Sequence, residues 1–169
     1  LTIADSTYEM LVDLGKNSPP TAGYEHLDAK PEYALMAPWD MGHAIVYLAQ
    51  RAVVSDPFGH GVGRSYRYYA AENPRDALAE LADVRYVVAQ DVSHPVTGKI
   101  HADYLGLRPG HAMLSGQWQR LFQMRILTDL PFADERGRPT TWGHRLVYRS
   151  ERGDNSLYEF TPPQGPSFP

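Results

Sequence analysis

A chain of 169 residues, 43% hydrophobic and 11% aromatic, has enough apolar surface to fold as one globular domain around a sizeable core. Its net charge of −4, with 16 basic residues spread along the chain, argues against a nucleic-acid surface, which needs clustered Lys and Arg. The absence of cysteine excludes disulfides, thiolate zinc sites and cysteine nucleophiles.

No apolar run approaches the roughly 18 residues that span a bilayer, and no signal peptide is visible. The chain begins at Leu1 rather than at a methionine, so we expect a piece of a longer protein whose membrane segment lies outside it.

In chain order, Ser6-Thr7-Tyr8-Glu9 forms a capping box that predicts a helix through Leu14, stopped by Gly15. The prolines and glycine of 17–23 predict a loop. Tyr33-Ala34-Leu35-Met36 reads as a short buried strand, and Ile45, Leu48 and Ala49 fall at helical spacing. Ala52–Ser55 reads as another short strand. Asn73 caps a helix with Pro74 at its first position, burying Ala77, Leu78, Leu81 and Ala82. Val84–Val88 is rich in β-branched and aromatic residues, as a strand requires.

Further on, Lys99–Leu105 is expected as a strand, and Met113–Leu127 as an amphipathic helix burying Leu114, Trp118, Leu121 and Phe122. A charged loop is predicted over 132–141. A hairpin follows, pairing Arg145–Arg149 with Leu157–Phe160 across the polar turn 151–155. Helices mixed with short strands, the strands concentrating late, predict an α+β fold in a single compact domain over 1–161, with a proline-rich tail at 162–169.

Between strand and helix stands Pro38-Trp39-Asp40-Met41-Gly42. A carboxylate beside an indole at such a junction either caps the helix or grips a polar group arriving from solvent, with the helix dipole keeping the acid ionised. Glycine-rich 59–64, with Arg64 and Arg67 nearby, reads as a flexible turn or a weak anion cradle, since it lacks both the dinucleotide and the phosphate-loop spacing. Asp91, His94, His101 and Asp103 are metal-ligating residue types without diagnostic spacing, and surface histidines and turn aspartates explain them better. No nucleophile elbow is present, and no carboxylate pair is singled out for glycoside hydrolysis. We assign no catalytic residue.

The order of these segments, from Thr7–Leu11 and Asn17–Pro20 through Leu35–Ile45, Arg51–Gly59, Arg85–Val88, Thr97–Lys99 and His144–Ser150, resembles the C-terminal soluble domain of the oligosaccharyltransferase catalytic subunit of archaea and some bacteria. The resemblance covers nearly the whole chain. In that family a Trp-Trp-Asp-Tyr-Gly motif receives the Ser/Thr hydroxyl of Asn-x-Ser/Thr acceptors. Trp39, Asp40 and Gly42 match it, while Pro38 and Met41 replace a tryptophan and a tyrosine. Losing one indole removes a donor and an apolar wall, and methionine is expected to line the pocket with a softer surface. Lys99 is the positional candidate for the family's second pocket motif, although Val96 stands where its aspartate belongs, and a solvated lysine is the plainer reading.

The resemblance implies an acceptor-recognition domain with acceptor polypeptide and lipid-linked oligosaccharide as partners, the latter through a membrane portion. It implies no cofactor in this chain, with a divalent Mn or Mg ion held by the membrane portion. It also implies attachment to N-terminal membrane helices on the extracytoplasmic face. Two alternatives stand beside it: a related membrane glycosyltransferase with a non-sequon acceptor, and a stand-alone binding module.

Overall fold

The computed structural model describes residues 4–24, 28–90, 125–126, 132–133, 139–153 and 155–163. The predicted strand at 99–105, most of the helix at 113–127, the metal candidates Asp91, His94, His101 and Asp103, Val96, Lys99 and most of the tail lie outside these residues.

Helix α1 runs Asp5–Asn17, and β1 is Ala34–Met36. A 3-10 turn at Trp39–Met41 leads into α2, Gly42–Ala44, which widens into a π-helical turn at Ile45–Ala49. Helices α3, Val62–Ala70, and α4, Pro74–Ala79, precede β2, Val84–Gln90. Short β3, Phe132–Ala133, and β4, Pro139–Thr140, pair with each other. The hairpin strands β5, His144–Arg149, and β6, Asn155–Phe160, follow.

The main sheet has the order β1-β2-β6-β5, with β1 parallel to β2 and the remaining pairs antiparallel. Period-2 alternation sends neighbouring residues to opposite faces. Tyr86, Val88 and Leu157 pack with Met10, Leu11 and Leu14 of α1 and with Ile45 and Ala49. On the other face Val87, Ala89, Tyr158 and Phe160 pack with Tyr68 and Tyr69 of α3 and with Ala77, Leu78 and Leu81 around α4. The result is the mixed α+β domain that the element pattern predicts, and its four-stranded sheet carries helices on both faces.

Several local expectations are corrected. The helix starts two residues earlier than a capping box at Ser6 predicts, behind Ala4, which makes no side-chain cap. Gly15 does not end α1 but lies inside it. A Cβ there would come within 3.2 Å of Ala49 Cα and O, so the glycine permits close packing of α1 on the π-turn. The strand at 52–55 reduces to a single parallel bridge, Leu35 to Val53. Ala82 is exposed, because α4 has already ended at Ala79. The loop at 132–141 contains the β3–β4 pair, whose proline sits at the margin where a missing N–H is tolerated. The α4 cap holds as predicted: Asn73 Oδ1 accepts from the Asp76 amide at 3.0 Å.

One buried residue ties the first layer together. Arg51 is 6% exposed, and its guanidinium makes six hydrogen bonds without a carboxylate partner. It donates to the Gly15 and Ser18 carbonyls at the end of α1 and to the Ala49 and Gln50 carbonyls at the end of the π-turn. It also donates to Ser18 Oγ and Tyr33 Oη. A helix end leaves carbonyls without partners, and a cation there is favoured by the dipole. Arg51 meets both needs for two helices at once.

Candidate functional site

The corner between β1 and α2 carries Trp39 and Asp40. The segment 52–54 returns alongside β1, through Leu35 N–H to Ala52 O and Val54 N–H to Leu35 O, both 2.8 Å. It delivers Ser55 to the corner. Ser55 Oγ and Ser65 Oγ, both buried, donate to the Ala37 carbonyl at 3.3 and 3.0 Å. The backbone is therefore pinned one residue before Pro38. Pro38 has no N–H to leave unpaired at the start of the turn, and its carbonyl accepts from Met41 N–H at 2.9 Å.

Gly42 is fixed by crowding, since a Cβ there would lie 2.5 Å from the Ser55 carbonyl and 2.8 Å from Asp56 Cα. Gly61 is fixed more tightly. Its φ is +64°, and a Cβ would lie 1.7 Å from the Val54 carbonyl. The glycine-rich segment is thus a packing device that lets 54–61 close against the corner. Asp56 organises the same loop, accepting from the Phe58 amide at 2.8 Å and from His60 Nδ1 at 2.8 Å. Burial works against its charge, but these bonds hold its carboxyl below the usual range. Arg64 and Arg67 turn away onto Asp83 and Glu80, so an anion cradle at 59–64 gains no support from them.

The predicted site residues divide into two groups. Pro38 and Met41 are buried, and Met41, 5% exposed, belongs to the core beneath α1 rather than to a solvent-facing lining. Gly42 is buried against Ser55 and Asp56. Trp39 and Asp40 are half-buried and adjacent on the turn. Lys99 lies outside the described residues.

Asp40 is not a helix cap. It sits within the 3-10 turn, and the capping position belongs to Pro38. Burial raises its pKa, with the amides of Asp40 and Met41 pulling the other way. Desolvation outweighs the favourable N–H groups, the reverse of the dipole effect expected from sequence. Its Oδ1 is buried without a hydrogen-bond partner. Such an atom is costly to leave without a partner. Nearby, His43 meets the exposed Phe58 ring edge-on at 4.8 Å.

Sequence reasoning missed Ser55, Ser65 and Arg51. The serines lie 18 and 28 residues from Ala37, beyond any local pattern. Among the described residues no group of three His, Asp or Glu is placed to hold a metal ion. None of the described helices is long and apolar enough to cross a membrane.

Comparison with known proteins bears on the family and the fold. The chain is 38% identical over 64 residues to dolichyl-phosphooligosaccharide-protein glycotransferase 1 of Archaeoglobus fulgidus; the match takes in 37% of this chain and 11% of that protein. The chain thus spans about a tenth of the length of the curated relatives it matches. Its fold is that of the C-terminal globular domain of an oligosaccharyltransferase from the same organism, with a TM-score of 0.72, 20% identity, and coverage of 95% of this chain and 100% of that one. A further Archaeoglobus fulgidus oligosaccharyltransferase structure, tethered to an acceptor peptide containing an NVT sequon, matches with a TM-score of 0.64 and 14% identity over 88% of this chain and 24% of that one. A family model for the AglB core domain matches residues 8–93, just over half of the chain, and the protein belongs to this AglB core-like family.

Proposed function

We propose that this chain is the acceptor-recognition domain of a membrane oligosaccharyltransferase, which transfers glycan from a lipid-linked donor to Asn in Asn-x-Ser/Thr. Asp40 accepts a hydrogen bond from the acceptor hydroxyl, and Trp39 packs beside it and excludes water. The observation that carries this reading is the buried, unpartnered Oδ1 of Asp40 on a rigidly held turn. The carboxylate is the acceptor that a hydroxyl lacks in water-poor surroundings, and a hydrogen bond to a charged group contributes about 1.5–3 kcal/mol. That corresponds to a preference of roughly tenfold to a hundredfold for Ser or Thr over Ala at the acceptor position.

In this proposal the chain supplies recognition, not the chemical step. The divalent Mn or Mg ion and the lipid-linked sugar are held by a membrane portion, and the domain stands on the extracytoplasmic face. The test is transfer from lipid-linked oligosaccharide to Asn-x-Thr and Asn-x-Ala peptides by the whole enzyme, wild type and Asp40→Ala. Wild type favours Asn-x-Thr, and the variant loses that preference while its thermal unfolding stays cooperative. Unchanged discrimination by Asp40→Ala refutes the role of Asp40.

Pro38 motivates a second reading, a non-sequon acceptor, because proline supplies no indole donor at that position. Equal wild-type transfer to the two peptides would favour it.

A further inference from the structure

A half-open cavity of about 560 Å³ lies where the end of α1 leaves the sheet, and none of its lining comes from the 38–42 turn. Leu14, Val147, Leu157 and Tyr86 give it an apolar floor. The β-bulge between Leu146 and Tyr148 puts Val147 out of register with β6, and Val147 reaches this floor although its strand lies at one end of the four-strand order. One wall is built from three adjacent strands. Glu159 Oε1 accepts from Arg85 Nε and Nη2 at 3.2 and 3.0 Å, and Glu159 Oε2 accepts from Arg145 Nη2. Arg85 also lies over the Tyr33 and Tyr86 rings, 5.6 Å from each centroid.

The facing wall is α1. Asn17 Nδ2 donates to Asp13 Oδ1 at 2.8 Å, which leaves Asp13 Oδ2 and Asn17 Oδ1 as acceptors. On the sheet wall Arg145 Nε and Nη1 remain as donors once Glu159 is satisfied, while Arg85 is also engaged by the Tyr86 hydroxyl. Two guanidinium groups and two carboxylates give this groove no net charge. The Arg85 guanidinium, held by Glu159 and lying over two aromatic rings, loses little freedom when it binds a ligand.

Donors on one wall, acceptors on the other and an apolar floor together select a ligand that is uncharged and bears many hydroxyl groups. A sugar hydroxyl both donates and accepts, and the C–H face of a pyranose covers an apolar or aromatic floor. An anion would be drawn by the arginines but opposed by Glu159 and Asp13, and it would leave the α1 acceptors without partners. The volume lies within the roughly 300–1,000 Å³ of small-molecule sites. We propose that this groove binds a short uncharged oligosaccharide segment, at a site separate from the Asp40 corner.

The test is an amide NMR titration of the 169-residue chain with mannotriose, cellotriose and N-acetyl-chitotriose, alongside trigalacturonate and inorganic phosphate. At least one uncharged trisaccharide shifts the amides of Asn17, Val147 and Glu159. The double variant Asp13→Ala/Arg145→Ala weakens that binding about tenfold or more. Val147→Trp, which fills the groove without touching the ion pairs, abolishes it. Spectra that superpose outside the groove establish that the variants fold. Asp40→Ala leaves the titration unchanged, so failure here is distinguishable from failure of the acceptor reading. No groove shift with any uncharged sugar, undiminished binding in both variants, or preference for trigalacturonate or phosphate overturns the proposal.

Discussion

Replacing Arg51 tests how the two helix ends beneath the sheet are held. Arg51→Met keeps the length and apolar character of the stem and removes only the guanidinium head. Four main-chain carbonyls, of Gly15, Ser18, Ala49 and Gln50, then lose their charged donor, as do Ser18 Oγ and Tyr33 Oη. An orphaned buried acceptor costs about 1–3 kcal/mol. Gln50 is exposed and recovers water, while relief of guanidinium desolvation offsets part of the rest. The balance is a loss of about 3–5 kcal/mol, a large fraction of the roughly 5–15 kcal/mol that stabilises a domain. Arg51→Lys brings a compact point charge that cannot span four carbonyls, and its loss is about half as large. Urea unfolding followed by circular dichroism measures both. With a slope of about 2 kcal/mol per molar, the Met variant's midpoint falls by roughly 2 M and the slope itself is unchanged. A Met variant within about 1 kcal/mol of wild type would refute the clasp.

Three further outcomes follow from the site and its supports. Gly61→Ala, whose Cβ would strike the Val54 carbonyl, should unfold the chain or cost more than about 3 kcal/mol; Gly59→Ala, with φ +96° and nothing within 4 Å, should cost only the roughly 1–2 kcal/mol of backbone strain, so equal losses by urea unfolding would contradict the packing argument. Burial lowers the His144 pKa from 6.5 to about 4, so the unfolded chain binds more protons and stability falls by roughly 3 kcal/mol as pH drops from about 6.5 to about 4. The mildly acid part of that slope, above the carboxylate range, should vanish in His144→Gln, and an unaltered pH–stability curve would rule this out. Asp40→Asn relieves a carboxylate whose charged form is penalised by burial, so the urea midpoint at neutral pH should rise while Asn-x-Thr selectivity falls; a lower midpoint would mean that Asp40 supports the fold instead.

The elements legible in the sequence are those whose signal lies within a few residues. Asn73-Pro74 starts α4 because a side-chain cap and a preset φ act locally. Val84–Gln90 forms β2 because every residue from Tyr86 to Ala89 is buried between the two helical layers. The β5–β6 hairpin is equally local, although its bulge at Val147 is not written in any alternation. What could not be read depends on distant partners. Gly15 looks like a helix stop until Ala49 is placed against it, and Arg51 looks like a surface residue until helix ends 33 and 36 residues away converge on it. Helix α3 went unread because its buried face is built from Ser65, Tyr68 and Tyr69, whose polar atoms obscure the apolar period. At the candidate site, the adjacency of Trp39 and Asp40 was visible at once. The burial of Met41 in the core and of Gly42 against Ser55 and Asp56 was not, since both depend on partners distant in sequence.

That burial changes how the variant motif is understood. Met41 packs against the core beneath α1, so its side chain supports the turn and does not form its solvent face. The function proposed for the corner therefore rests on two side chains and on the backbone that immobilises them. Ser55 and Ser65 anchor Ala37, and Gly42 and Gly61 permit contacts that no other residue would allow. A preorganised acceptor discriminates between ligands because it pays no reorganisation when the right donor arrives. By this reasoning the two serines act on recognition through Asp40. Losing one of them would loosen the turn, and the hydroxyl preference would decline before transfer to a saturating acceptor did.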